Sequence, residues 1–155
     1  MSHAGVFHAD APRTLGCCGL SEEEHIMQSV SVHTRKHTQF LDITQEIQSY
    51  ISDKGINSGI VTVFVPHTTA GITINENADP SVTSDIADAL DRAVPWQAHY
   101  KHTEGNAAAH VKASMMGSSI QIIVEDGRLL LGTWQAVYFC EFDGPRSRNV
   151  WITVS

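Results

Sequence analysis

Apolar and polar positions change rhythm several times along the chain, and each rhythm predicts an element. Residues 27–34 alternate in period two, as a strand with one buried face does. Residues 39–41 make a short apolar step into a helix opened by Asp42 or Thr44. Ile43, Ile47, Tyr50 and Ile51 share one face of that helix, and Lys54 and Gly55 supply a stop. Residues 59–66, GIVTVFVP, are β-branched and almost continuously apolar, the pattern of a central strand; residues 71–75 alternate as a second one. Asp79 before Pro80 is an N-cap followed by a first-turn proline. Val82, Ile86, Ala89, Leu90 and Val94 then form the buried stripe of a helix ending before Pro95.

After a loop over 96–106, the small residues 107–116 predict a short helix. Residues 119–124, 128–131, 135–142 and 149–154 read as four strands, with Glu125-Asp126-Gly127 as a tight hairpin turn. Two or three helices packed on a largely antiparallel sheet make an α+β architecture. The chain has no internal repeat, no GxGxxG and no P-loop glycine-lysine motif, which sets aside the nucleotide-binding sheets. Residues 1–26 keep neither period and read as an N-terminal extension to one domain over 27–155. The apolar runs 129–131 and 136–142 exceed what one thin sheet over two helices covers, so assembly of several copies is expected.

Composition removes whole classes of partner. A net charge of −7 and a pI near 5.6 repel a polyphosphate backbone, so nucleic acid is not expected as a partner. No apolar run approaches the roughly 20 residues of a membrane-spanning helix, and the N-terminus shows no secretory pattern. No membrane association and a cytoplasmic location are therefore expected. Cys17, Cys18 and Cys140 make an odd count without metal spacing, which points to a reducing compartment and no disulfide frame.

Two segments concentrate chemistry. HTTAGITINENADP at 67–80 and HTEGNAAAHVK at 102–112 hold imidazoles, amides, hydroxyls and carboxylates at densities a packed core does not need. At a strand end His67 either caps backbone groups or works chemically. The Asn75 amide faces either a pocket or solvent, while Asn77 and Asp79 fit turn and cap hydrogen bonds. His102 and His110, joined by His67, either hold a divalent metal, zinc or magnesium, with one position open, or make a metal-free proton-transfer pair. Glu104 either orients an imidazole or is a solvated loop carboxylate. Arg146 and Arg148 flank a Gly-Pro turn, and Lys112, Ser114, Ser118 and Ser119 surround Met115-Met116-Gly117. Such cations and hydroxyls bind a small phosphorylated metabolite, or they form ordinary surface pairs with Glu141 and Asp143. Trp134 reads as core or subunit interface.

In order and spacing, the blocks HTTAGITINENADPSV, HTEGNAAAHVKASMMGSS and GRLLLGTWQAVYFCEFDGPRSR resemble the YjbQ-like family, also called the secondary thiamine-phosphate synthase family, over about residues 27–154. The resemblance implies a compact α+β fold, a homotrimer, and histidine-lined pockets near subunit boundaries. It also implies a weak ability to join a pyrimidine diphosphate to a thiazole phosphate, releasing pyrophosphate. By position, the family's histidines fall on His67, His102 and His110, its NEN turn on Asn75, Glu76 and Asn77, and its basic turn on Arg146 and Arg148. On that reading His67, His110 and Asn75 are catalytic. Thr68, Thr69, Lys112, Ser114, Arg146 and Arg148 hold substrate, and His67, His102 and His110 hold the metal. Some relatives carry an acidic pair where this chain has Asn106 and alanines, so no carboxylate ligand is expected from that loop. Two further readings are a metal-assisted hydrolase of a small phosphorylated or amide compound and a non-enzymatic metabolite-binding trimer.

Overall fold

The strands form two antiparallel sheets where one was expected. The computed structural model describes residues 27–155; the expectations for the N-terminal extension, Cys17 and Cys18 included, lie outside the described residues. In chain order the elements are β1 (Gln28–His33), β2 (Gln39–Asp42), α1 (Thr44–Asp53), β3 (Gly59–Phe64), β4 (Ala70–Glu76) and α2 (Pro80–Ala93). They continue with α3 (Ala107–Met116), β5 (Ser119–Glu125), β6 (Arg128–Leu129), β7 (Gln135–Glu141) and β8 (Ser147–Val154). The larger sheet runs β1-β8-β3-β5-β6 and the smaller one β2-β7-β4. The α+β class stands, with three helices among the described residues. None of the described helices is long and apolar enough to cross a membrane.

Local chemistry places the ends. The Asp42 carboxylate accepts the Thr44 N–H at 2.9 Å and its hydroxyl at 2.6 Å, fixing the entry to α1, and Gly55 at φ +63° closes it. The Asp79 carboxylate accepts the Ser81 N–H at 2.8 Å and caps α2, with Pro80 at its first position. Asp126 and Gly127 both have positive φ, 51° and 72°, as the two central residues of a type I′ hairpin require. β6 stops two residues short of expectation because the Leu131 N–H turns back to the Leu129 carbonyl at 3.1 Å.

The core follows from period two. Val61 and Val63 of β3 point inward with Ile122, Val124, Val150 and Ile152 from neighbouring strands. They meet Ile47, Tyr50 and Ile51 of α1 and Val137 and Phe139 of β7. The opposite face of β7, Ala136, Tyr138 and Cys140, joins Phe142, Leu90 of α2, and Ala109 and Ala113 of α3 in a second cluster. The apolar run 136–142 is thus covered on both faces within one chain, which removes it as a sign of subunit association. The α2 stripe is narrower than expected: Leu90 and Val94 are buried, Val82 and Ile86 half-buried, and Ala89 exposed. Trp134 is 64% exposed and belongs to neither cluster.

Two of the connections that cross between the sheets lie together. Residues 65–69 carry the chain from β3 in the larger sheet to β4 in the smaller, and residues 142–146 return it from β7 to β8. They run side by side, joined by the Phe142 N–H to the Thr69 carbonyl at 3.2 Å.

Candidate functional site

His67 lies on the first of these connections because β3 ends just before Pro66. β3 pairs with β8 only as far as Phe64, opposite Trp151, so Asn149 has no strand partner on that side. The His67 imidazole takes the vacant position. Its Nε2 is 2.9 Å from the Asn149 N–H nitrogen and 3.1 Å from the Asn149 carbonyl oxygen. The two contacts belong to two tautomers, and either one leaves Nδ1 for a ligand. Partial burial holds the His67 pKa below the ordinary histidine value and the Arg148 guanidinium pushes the same way, against the Asn149 carbonyl and Glu141. The ring is neutral at neutral pH, the form that accepts a proton.

α3 supplies the facing wall. His110, Ala113, Ser114 and Gly117 are spaced three and four apart, which aligns them on one helical face. Between that face and His67, Thr68 and Ala70 opens a cavity of about 380 Å³, completed by Ser118. The Ser114 hydroxyl donates to the His110 carbonyl at 2.9 Å and keeps its lone pairs free for a ligand.

His102 stands beside His110, ring centroids 5.2 Å apart and edge to face, but does not line the cavity. Its Nε2 is 3.5 Å from the Glu104 carboxylate, too long for a strong hydrogen bond. Among the described residues, no three His, Cys, Asp or Glu side chains converge to hold a metal.

The cations are spent elsewhere. Lys112 follows His110 by two residues, about 200° around the helix, and points toward α2. There its buried ammonium binds the Asp91 carboxylate, 5.8 Å from the centre of the Trp96 ring. Arg146 closes its turn on Asp143, to the carbonyl and the carboxylate, each at 2.7 Å. Arg148 grips Glu141 with two hydrogen bonds, 2.7 and 2.6 Å, and reaches the Thr69 hydroxyl at 2.8 Å. The basic turn took the ion-pair course, yet Glu141 is fully buried where a surface pair was anticipated. Burial alone would raise the Glu141 pKa; the Arg148 hydrogen bonds, the Asp143 N–H and the Thr34 hydroxyl outweigh it and hold the carboxyl below its ordinary range.

Of the sequence-derived residues, the cavity brings together His67, Thr68, His110, Ser114 and Ser118. Thr69 is buried behind its wall. Asn75 sits five residues along β4 from Ala70, roughly 16 Å away, and its side-chain oxygen accepts the Glu76 N–H. Asn77 donates to the Asp42 carboxylate at 3.3 Å, a contact between distant segments and not the local turn bond expected of it. Sequence reading missed Asn149 and the burial of Glu141. A backbone role for Asn149 leaves no trace in residue type.

The family model described as UPF0047 protein YjbQ-like matches residues 28–155. Over 128 residues the chain is 49% identical to the UPF0047 protein YugU of Bacillus subtilis, covering 82% of this chain and 97% of that protein. It is 50% identical to a UPF0047 protein of Methanocaldococcus jannaschii, covering 79% and 89%. An uncharacterized YjbQ/UPF0047 protein from Clostridium acetobutylicum has a crystal structure similar to this fold at TM-score 0.81 and 54% identity, covering 83% of this chain and 99% of that chain. A hypothetical protein from Aeropyrum pernix K1 gives TM-score 0.80 at 37% identity, covering 84% and 98%. Sequence and architecture agree over the whole described region, and the chain belongs to the UPF0047, YjbQ-like family.

Proposed function

We propose that the cavity between His67 and His110 binds a small phosphorylated metabolite and is the seat of the thiamine-phosphate synthase activity that the family resemblance implies. One observation carries this reading: imidazoles from two separate elements face the same cavity, beside the hydroxyls of Thr68, Ser114 and Ser118. Its volume, about 380 Å³, suits a metabolite-sized ligand.

In that reaction the thiazole nitrogen attacks the methylene carbon of the pyrimidine diphosphate. A C–N bond forms, the C–O bond breaks, and pyrophosphate leaves with the electron pair. Positioning and hydrogen bonds to the leaving oxygens supply most of the acceleration. The His67 Nδ1, free of Asn149, and His110 across the cavity are the groups that meet the phosphates. Lys112 and Arg148, each paired with a carboxylate, are left out of that role. The reading includes a homotrimer and is supported there by Ile60, Phe64, Ile123 and Trp151, which stand exposed on the outer face of the larger sheet.

Purified protein given both substrates and magnesium is expected to form thiamine phosphate, read as its fluorescent oxidation product. The double variant His67→Ala/His110→Ala is expected to fall to background, and equal product from both proteins overturns the reading. Saturable binding of the thiazole phosphate by calorimetry without any product selects the non-enzymatic binder.

A further inference from the structure

A buried ion pair spans the two ends of the 142–146 connection, beside the 65–69 connection. Glu141 is the last residue of β7 in the smaller sheet, and Arg148 is the second residue of β8 in the larger. Their side chains are 0% and 9% exposed. The carboxylate is saturated: besides Arg148 it accepts the Phe142 N–H at 3.1 Å, the Asp143 N–H at 2.9 Å and the Thr34 hydroxyl at 3.2 Å. The return connection is packed so closely here that a Cβ on Gly144 would lie 2.9 Å from both Glu141 Cγ and Thr34 Oγ1.

A buried pair of this kind contributes little to stability beyond what apolar side chains of equal volume would give. Its distinguishing product is geometry. Arg148 continues past Glu141 to the Thr69 hydroxyl at 2.8 Å, and the next residue, Asn149, holds His67 through its backbone at 2.9 Å. Two consecutive residues of β8 thus grip the 67–69 segment at two points, while Phe142 holds it from the β7 side.

We infer that the Glu141–Arg148 pair is the positioning device of the cavity: it locks the 67–69 segment between the sheets so that the His67 ring stays seated on Asn149 with Nδ1 presented to the ligand. Arg148 is a positioning residue in this scheme and touches no substrate. The role of Nδ1 rests on the function proposed above, but the seating of the ring does not.

The test uses two variants of the full chain. Thr69→Val removes only the hydroxyl that Arg148 reaches. Glu141→Leu/Arg148→Met removes both charges together, leaving no lone buried ion to unfold the protein. The readout is the side-chain nitrogen spectrum of ¹⁵N-histidine protein, with His67→Gln for assignment. The native His67 ring is expected to show distinct, fixed Nδ1 and Nε2 signals. In both variants these are expected to move toward the averaged values of a free imidazole, and Thr69→Ser is expected to restore them. Turnover in Thr69→Val is expected to fall about 10-fold to 100-fold, with KM within about twofold. A His67 spectrum unchanged in both variants while their melting temperatures fall would show the pair to be structural only and overturn the inference. If native protein forms no product, the proposed function fails while the spectrum still decides this point.

Discussion

Gly71 of β4 lies so close to Gly117 at the end of α3 that a Cβ built on it would stand 2.8 Å from the Gly117 carbonyl oxygen. The same Cβ would meet the Met116 Cβ at 2.8 Å, and the neighbouring Ile72 N–H already bonds the Gly117 carbonyl at 3.0 Å. Backbone on backbone at this point sets how near His110 and Ser114 stand to His67. Gly71→Ala is expected to push α3 outward, to cost about 1–3 kcal/mol in urea unfolding, and to weaken calorimetric binding of the thiazole phosphate.

Lys112 carries a buried ammonium whose counter-charge comes from α2. Asp91→Asn leaves that ammonium without a partner anion and is expected to cost about 3 kcal/mol. Lys112→Met added to Asp91→Asn is expected to recover most of the loss, a coupling that a double-mutant cycle in urea measures. If the double variant is no more stable than Asp91→Asn, the account of the pair is wrong.

His67 gives the protein a pH dependence of known sign. Its native pKa is lowered, so the unfolded chain takes up this proton first as the pH falls below the ordinary value of 6.5. The contribution to stability is therefore complete above that value, declines as the pH drops toward the lowered native pKa, and stops changing below it. Urea midpoints of native protein and His67→Gln between about pH 7.5 and pH 5.5 are expected to fall more steeply for the native protein.

The outer face of the larger sheet tests the proposed assembly. Phe64 and Trp151, directly opposite in β3 and β8, have ring centroids 5.7 Å apart, and Ile60 faces Ile123 across β3 and β5. Phe64→Glu is expected to yield single chains in sedimentation at concentrations where native protein runs as three copies, with unchanged circular dichroism. A native protein that sediments as one copy at all concentrations contradicts the homotrimer.

What could be read from sequence was what short-range chemistry decides. Asp79-Pro80 starts α2, Asp126-Gly127 turns the β5–β6 hairpin, and the small residues of α3 mark a helix that runs from Ala107 to Met116 as expected. The division into two sheets was not legible, because alternation reports that a strand has a buried face and not which strand pairs with it. The unbroken apolar run in β7 suits either a subunit interface or a core on both sides, and only the position of α2 and α3 decides between them.

The site divides the same way. His67, His110, Thr68 and Ser114 were visible because polar groups crowd at a strand end and on a small-residue helix. The duties of Lys112 and Arg148 were not. Residue type announces a charge, but the carboxylate that claims Lys112 is 21 residues away, and the burial of Glu141 follows from two sheets meeting.

The strand order also bears on how the molecule resists polymerising. Of the outer strands, β6 has two residues and β2 four, and β4 is met on its free side by the end of α3. Among the described residues that leaves β1 as the longest open ladder, and its outward side chains include Ser29, Ser31 and His33. A foreign peptide pairing there would lie against those polar side chains rather than against an apolar strand, which disfavours repeated strand addition at this edge.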